Sequence, residues 1–258
     1  FSGRDKALDE TPGYPVHRRE FFQKKPMRPI YYDTETTGVK PDKDRIVELA
    51  AYDSVRDRTF CTLIDPEIPI PEEATNISGI STAMVQGAPK FSEAFDQFTA
   101  FCEGSVVLIA HNNDAFDRPF LEEEAKRSGK KMPDWAFIDS LKWARKYRND
   151  LPRHSLQALR EVYGVAANQA HRALDDVLVL RQVFSQMIDD LPILKVMELL
   201  NRKQELTRMP FGKYQGKNLS EIPRDYVTWL SQSGALDKPD NAGLKAKFLD
   251  FGLLRANG

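Results

Sequence analysis

Cysteine and histidine are scarce in this sequence, which has two Cys and four His among 258 residues. Cys61 and Cys102 lie far apart and show neither C-x-x-C nor Cys/His spacing, so the pattern indicates neither a disulfide framework nor a zinc site. No apolar run approaches the length of a membrane span, and no signal-peptide pattern opens the chain. We therefore expect a soluble protein with no membrane association and a cytoplasmic location.

An excess of one charge is also absent, because 37 Lys and Arg stand against 38 Asp and Glu. This balance neither supports nor excludes a nucleic-acid partner, and any basic surface must be local. The first residue is not Met, from which we expect a chain shortened at its N-terminus. With 258 residues and 41% hydrophobic side chains, the sequence predicts one main domain with a real core and a smaller second piece.

The pattern of apolar residues predicts an α/β domain at residues 27–190, preceded by an extended polar arm at residues 1–26. Three short β-prone runs come first, and a helix then leads into a continuous apolar run that is typical of a buried parallel strand. A helix that feeds such a strand indicates an α/β fold. The predicted strands are residues 30–34, 46–52, 59–64, 106–110 and 137–140, and the predicted helices are residues 90–103, 115–127, 155–163 and 173–188.

Two acids, Asp33 and Glu35, occupy the first predicted strand within the segment D-T-E-T-T-G. Residues i and i+2 of a strand point to the same face, so the two carboxylates can hold one metal ion together. Two acids on a core strand are costly to bury unless a cation or a hydrogen-bond donor compensates them. The pattern therefore predicts a metal site with further ligands elsewhere in the chain.

Two further acids, Asp117 and Asp176, are predicted at the starts of helices. Asp117 follows the buried strand in the segment A-H-N-N-D-A-F-D, and Asp176 comes five residues after His171, which we place in the loop before its helix. Four carboxylates can bind two divalent cations about 3.5–4 Å apart, which suits attack of water on a phosphodiester with a nearby histidine as the general base. Asp114 and Asp175 are rival ligands to Asp117 and Asp176.

The motifs D-T-E-T-T-G, H-N-x-x-x-F-D and H-x-x-x-x-D, in this order, resemble those of the DEDDh 3′→5′ exonucleases, which are proofreading-subunit-like proteins with a ribonuclease H-like fold. The resemblance covers about residues 28–190, including the segment I-P-E-E-A-T-N-I-S-G-I-S, which looks like the family's loop around the terminal nucleotide. Many relatives have two residues between H-N and the following aromatic–Asp pair, whereas this chain has three, as in the three-prime repair exonucleases. The resemblance implies a mixed central sheet flanked by helices, two Mg²⁺ or Mn²⁺ ions held by Asp33, Glu35, Asp117 and Asp176, and His171 as the general base.

Several residues around these motifs are predicted to bind the substrate. The alternatives are structural, since His111 and Asn112 could cap the following helix, and Ile77 and Ile80 could belong to the core. The predicted substrate-binding residues are Thr34, Thr36, Ile77, Ile80, His111, Asn112, Phe116, Lys213 and Lys217.

The chain changes character after residue 190. Residues 191–208 are predicted to be a connector around a helix at residues 193–206, and residues 209–258 a small C-terminal α+β domain that resembles the one in exodeoxyribonuclease X-like proteins. Its G-K-Y-Q-G-K run lacks the spacing and final Ser/Thr of a P-loop. Lys213 and Lys217 could contact a strand, while Tyr226 and Trp229 could stack on bases or form the core of the module.

These features predict a metal-dependent enzyme that removes 5′-mononucleotides from the free 3′ end of DNA, on single-stranded or frayed ends, with DNA repair among its possible processes. An exoribonuclease that trims RNA 3′ ends uses the same five residues and is the alternative function. A non-catalytic nucleic-acid-binding relative is disfavoured, because such a protein would be expected to lack one or more of the five residues.

Overall fold

The computed structural model describes residues 27–166, 172–202, 206–238 and 241–254. The predicted arm at residues 1–26 lies outside these ranges. The chain divides into two compact units between Met197 and Glu198. The four-part division predicted from the sequence, with its connector, stays a prediction.

The first unit contains five strands and most of the helices. Its strands are β1 (Arg28–Thr36), β2 (Ile46–Asp53), β3 (Arg58–Leu63), β4 (Val106–Ala110) and β5 (Ala136–Asp139). Its helices are α1 (Glu72–Ser78), α2 (Phe91–Phe101), α3 (Asp117–Arg127), α4 (Ser140–Tyr147), α5 (Leu156–Val162) and α6 (Ala173–Ile188). Helix α7 (Ile193–Asn201) follows and is shorter than the predicted helix at residues 193–206.

The five strands form one mixed sheet in the order β3-β2-β1-β4-β5. Strands β1, β2 and β3 pair antiparallel as the predicted meander, whereas β4 and β5 run parallel to β1. Every residue of β4 is buried, as its uninterrupted apolar sequence predicts. This sheet with flanking helices confirms the predicted fold class.

Strand β1 carries different neighbours on its two faces, and this alternation positions the site. Tyr32 packs towards α2, with its ring 6.3 Å from that of Phe98. Tyr31 points the opposite way and meets Phe184 of α6 edge-on at 6.4 Å. Since side chains alternate along a strand, Asp33 and Glu35 share the α6 face with Tyr31.

The core on the α2 face is rich in phenylalanine. Phe91, Phe95 and Phe98 of α2 are at most 2% exposed, so these three rings belong to the core. Their spacing places them on one side of the helix, against the sheet and Trp135. Burial of such large rings supplies much of the free energy that holds α2 on the sheet.

Two short helices of the first unit were not predicted. Helix α1 occupies the segment expected to be a loop, and it ends at Gly79, whose φ of 73° suits glycine. Helix α4 begins where the Asp139 carboxylate accepts hydrogen bonds from the N–H groups of Leu141 and Lys142. Both helices are short, so their apolar periodicity is weak in the sequence.

The second unit has a hairpin followed by two helices, α8 (Arg224–Gln232) and α9 (Ala242–Asp250), with short 3₁₀ turns before each. The hairpin has one antiparallel bridge, between Arg208 and Asn218, and the N–H of Met209 donates to Lys217 O at 2.8 Å. Its core is a separate apolar cluster of Met209, Leu219, Ile222, Val227, Leu230, Leu236, Leu244 and Phe248.

Within the described ranges, we find no helix whose length and apolar character would let it cross a membrane.

Candidate active site

Three carboxylates meet where the end of β1 passes the start of α6. Asp33 and Glu35 come from β1, and Asp176 lies in the first turn of α6. One oxygen from each lies within 4.8 Å of the others. The structure therefore brings together three of the four predicted metal ligands, from positions more than 140 residues apart in sequence.

The fourth predicted ligand, Asp117, lies beside this group but outside it. Asp117 is the first residue of α3 and is 1% exposed. Its Oδ1 accepts hydrogen bonds from the backbone N–H of Thr34 at 3.1 Å and from the Thr34 hydroxyl at 2.9 Å. Thr34, the residue between Asp33 and Glu35, thus ties Asp117 to the strand that carries these two acids.

Burial and mutual repulsion make Asp33, Glu35 and Asp117 resist ionisation. Burial, and then the charges of Asp117 and Glu35, raise the pKa of Asp33 well above its usual range. Burial, followed by the charges of Asp176 and Glu48, raises the pKa of Glu35 to about 7. Burial also raises the pKa of Asp117 to about 7, against the opposing effect of the hydrogen bonds from Thr34. Such a set of hard oxygen donors fits a divalent cation, which would relieve the repulsion.

Glu48, which the sequence analysis did not single out, holds the start of α6. It lies on β2 directly opposite Glu35 and is 2% exposed. Its Oε2 accepts a hydrogen bond from the N–H of Ala173 at 3.1 Å, and its Oε1 lies 3.3 Å from a guanidinium nitrogen of Arg172. A single acid in the apolar run I-V-E-L-A-A was the sequence signal that could have identified it.

Asp139, at the end of β5, is a second carboxylate that binds backbone N–H groups near the site. Its carboxylate accepts hydrogen bonds from the N–H groups of Asn112 and Asp114, both at 3.1 Å, besides those of α4. Asn112 has a φ of 71°, so the turn after β4 is a tight, specified bend. These hydrogen bonds fix the path of the chain from the end of β4 to Asp117.

A pocket of about 500 Å³ opens beside the three acids. Val39 and Ile77 on its walls are 74% and 61% exposed, so apolar surface faces the opening. Phe116 also lines the pocket and packs against Phe120 at 5.0 Å between ring centroids. The lining residues are Asp33, Thr34, Glu35, Thr36, Thr37, Gly38, Val39, Pro71, Glu73, Ala74, Ile77, Phe116 and Asp176.

Two of the predicted substrate-binding residues make structural contacts within the folded chain. Ile80 is fully buried in a cluster with Val47 and Ile70, so it is core, and the period of α1 turns Ile77 outward instead. Both ring nitrogens of His111 are engaged, since Nε2 lies 2.9 Å from the carbonyl oxygen of His154 and Nδ1 2.9 Å from the Ser140 hydroxyl.

The state of the His111 ring follows from these partners. A carbonyl oxygen only accepts, so Nε2 carries the hydrogen and Nδ1 accepts from Ser140. Burial lowers the pKa of His111 and favours the neutral ring. His111 therefore links the end of β4 to Ser140 and His154 instead of capping α3, and its contact with the substrate stays a prediction.

The two rival acids are disfavoured by their surroundings. The Asp114 side chain is 45% exposed and forms an ion pair with Lys142 at 3.2 Å. Asp175 is absent from the three-carboxylate group that includes Asp176. Asp117 and Asp176 therefore remain the proposed ligands.

His171 lies outside the described residues, so its role as general base stays a prediction. Lys213 and Lys217 belong to the second unit, where both are exposed. The substrate contacts of Thr34, Thr36, Asn112 and Phe116 also stay predictions.

A family model described as an exonuclease (RNase_T) matches residues 30–184, more than half of the chain. The chain therefore belongs to this exonuclease family, as a DEDDh 3′→5′ exonuclease. Residues 198–239 match a second model, described as a putative quorum-sensing-regulated virulence factor. The predicted place in the exodeoxyribonuclease X-like subfamily stays a prediction.

Relatives similar in sequence include replication and organellar proteins. DNA polymerase III subunit epsilon of Treponema pallidum is 36% identical over 61% of this chain and 74% of its own length. Exonuclease DPD1 of Arabidopsis thaliana is 35% identical over 64% of this chain and 57% of its own length. A PolC-type DNA polymerase III of Caldanaerobacter subterraneus subsp. tengcongensis is 31% identical over 70% of this chain but only 13% of its own length.

Solved structures of the same fold include a nuclease bound to a DNA oligonucleotide and one bound to a ribonucleotide. E. coli exonuclease I in complex with a dA16 oligonucleotide has a TM-score of 0.56 and 19% identity, over 67% of this chain and 42% of that one. The nuclease domain of 3'hExo, a DEDDh family member bound to rAMP, has the same TM-score and identity over 66% of this chain and 95% of that one. At this identity the likeness shows the fold alone.

Proposed function

We propose that this enzyme is a metal-dependent 3′→5′ exodeoxyribonuclease that releases 5′-mononucleotides from single-stranded or frayed DNA ends. The observation that carries the proposal is the group of three carboxylates within 4.8 Å at the edge of an apolar-walled pocket. Carboxylates recruit the cation, and exposed apolar side chains such as Ile77 offer a surface for a base and sugar. DNA is favoured over RNA because the relatives above 30% identity include DNA polymerase subunits.

The four acids divide into ligands for two Mg²⁺ or Mn²⁺ ions in this proposal. Asp33, Glu35 and Asp176 would hold the ion on the side of the nucleophile. Asp33 would also contact the second ion, with Asp117 assisting through water. When bound, the two ions supply positive charge to the attacking and leaving oxygens of the phosphodiester.

The chain itself would contribute positioning and proton transfer. His171 accepts the proton of the attacking water, a role suited to an imidazole near neutral pH. Thr34 keeps the Asp117 carboxylate oriented through two hydrogen bonds. Ile77 and Phe116 would confine the terminal nucleotide, and Thr36 and Asn112 would contact it.

The direct test is hydrolysis of single-stranded DNA, duplex DNA and RNA of one sequence, each labelled at the 5′ end, with Mg²⁺, Mn²⁺ or EDTA. We expect a metal-dependent ladder that shortens from the 3′ end, fastest on single-stranded DNA. Faster cleavage of RNA would replace the proposal with the exoribonuclease alternative.

The Asp33→Ala variant serves as the matched negative control, since it removes the acid assigned to both ions. Near-full activity of purified Asp33→Ala protein would refute the assignment of this ligand.

A further inference from the structure

Three aromatic rings lie in a row in the second unit, two of them half-buried against its apolar cluster and the third exposed. We call this set, Tyr214, Tyr226 and Trp229, the aromatic strip. The ring of Tyr214 meets Tyr226 edge-on at 4.8 Å, and Tyr226 stacks with Trp229 at 5.5 Å with 24° between their planes. The strip thus joins the hairpin to helix α8.

Trp229 is not used to build the core of this unit. On α8, Val227 and Leu230 are at most 2% exposed and enter the apolar cluster, whereas Trp229 is 56% exposed. Trp229 therefore does not form the core of this unit, which was one of its two predicted roles. The exposed indole of Trp229 is available to stack on a ligand, and it lies beside two further rings instead of standing alone.

Positive charge flanks one end of the strip. The Nζ atoms of Lys213 and Lys217 each lie 5.5 Å from the centroid of the Tyr214 ring. Among the described residues, neither lysine has a carboxylate within ion-pair distance. Residues 198–258 contain ten Lys and Arg against seven Asp and Glu, although the whole chain is nearly neutral.

The strip is held in a fixed arrangement rather than left to rotate freely. The Tyr226 hydroxyl accepts a hydrogen bond from the backbone N–H of Lys213 at 3.3 Å. Gly212 has a φ of 76°, and a Cβ there would collide with the same hydroxyl. The hairpin can therefore lie against Tyr226 only because glycine occupies this position.

We propose that the aromatic strip with Lys213 and Lys217 is a second binding surface for single-stranded nucleic acid, separate in its residues from the active site. Bases stack on the exposed ring of Trp229, and the two lysines contact phosphates. Both contacts are independent of sequence, as a nuclease that shortens any strand requires. The inference rests on the proposed function, because it assigns this surface to the same strand that the enzyme degrades.

The physical consequence is tethering. A strand held on the second unit stays at a high effective concentration near the enzyme, so affinity for long strands rises without a change in the chemical step. A substrate too small to reach this surface gains nothing from it. We therefore expect the surface to lower KM for long strands and to leave kcat on a small phosphodiester unaltered.

The test compares Trp229→Ala with Phe251→Ala, a matched control that removes the 47% exposed aromatic ring of the same unit. Binding of the full-length chain to a fluorescent single strand of about 20 nucleotides is measured by anisotropy in EDTA, where no hydrolysis occurs. We expect Trp229→Ala to weaken binding by about 5- to 150-fold, the range given by loss of one stacked base, and Phe251→Ala to have no such effect.

The two lysines are tested through salt dependence. Affinity for a strand decreases with salt, and each phosphate contact on a single strand contributes about 0.7 to the steepness of log affinity against log salt. In the Lys213→Gln, Lys217→Gln double variant, this dependence should become shallower by about 1.4. Lys238→Gln, which removes one exposed positive charge of the same unit, is the control and should leave the slope unchanged. An unchanged slope in the double variant would overturn the assignment of these lysines.

Hydrolysis of a nitrophenyl ester of a nucleoside 5′-monophosphate separates this inference from the proposed function. All variants should hydrolyse it like the parent protein. Equal strand affinity of Trp229→Ala and Phe251→Ala, with the ester still cleaved, would overturn the second surface alone. Equal losses on ester and strand would also overturn it, because they would indicate general damage. Failure of the parent protein to cleave ester or strand would instead refute the proposed function.

Discussion

Replacement of Glu35 by Gln should stabilise the metal-free protein while it abolishes hydrolysis. Glu35 sits beside Asp33 and Asp176, and without a cation these acids repel one another in a half-buried site. Glutamine keeps the shape of the side chain but removes its charge. The Glu35 charge should therefore lower the free energy of unfolding of the protein when metal is absent.

The magnitude follows from the raised pKa. A rise in the pKa of Glu35 from 4.5 to about 7 means that ionisation opposes folding, and at 1.36 kcal/mol per unit the full penalty is about 3 kcal/mol. Glutamine must still be desolvated, so we expect a net gain of about 2–3 kcal/mol above pH 7. In a domain of this size that corresponds to a rise in Tm of about 4–12 °C.

The pH dependence has a definite sign. The folded protein binds a proton on Glu35 that the unfolded chain releases between about pH 4.5 and pH 7. Stability of the parent protein is therefore greatest at low pH with respect to this group and falls as the pH rises through 7. The advantage of Glu35→Gln should be present at pH 8 and vanish near pH 4.

The assay is thermal unfolding in EDTA at pH 4, 6 and 8, repeated with Mg²⁺ or Mn²⁺. Glu161→Gln is the control, because that side chain is 70% exposed and lies away from the acid group. Metal should raise the Tm of the parent protein at pH 8 and have less effect on Glu35→Gln. A lower Tm of Glu35→Gln than of the parent protein in EDTA at pH 8 would refute the reasoning.

Three further variants test other parts of the structure. His171→Ala should lower kcat while single-strand affinity in EDTA stays nearly unchanged, and near-full activity would contradict its role as general base. Glu48→Ala removes a buried acceptor from the start of α6, so it should cost about 1–3 kcal/mol in denaturant unfolding and lower kcat, whereas Glu48→Gln should recover part of both because its amide oxygen can accept from Ala173. Phe98→Ala should cost about 3–5 kcal/mol of unfolding free energy, since that ring is fully buried, and a loss under 1 kcal/mol would show that the core collapses around the gap.

The sequence predicted the elements that carry strong local signals. The continuous apolar run of β4 and the stripe of α6 gave both elements with their observed ends, Val106–Ala110 and Ala173–Ile188. The three β-prone runs that precede β4 were predicted with ends within two residues of those observed for β1, β2 and β3. Helices α1 and α4 were missed because seven or eight residues give too little periodicity, and their ends depend on Gly79 and Asp139.

For the site, local geometry explains one pair and contacts between distant segments explain the rest. The i, i+2 spacing in D-T-E is enough to place Asp33 and Glu35 on one face of a strand, because side chains alternate there. The position of Asp176 depends on Glu48, and that of Asp117 depends on Thr34, through hydrogen bonds across 125 and 83 residues. No sequence window contains both members of such a pair.

The sequence by itself determined the type of chemistry, since the motif acids and the family resemblance define a metal-dependent nuclease. Tertiary structure decided which side chains are available for it. Ile80 looks as suitable as Ile77 in the sequence, yet packing buries the first and leaves the second 61% exposed. Trp229 has a large apolar side chain of the kind found in cores, but its position on α8 turns it outward. Burial is a property of the whole packed chain, so only the folded structure could separate these residues.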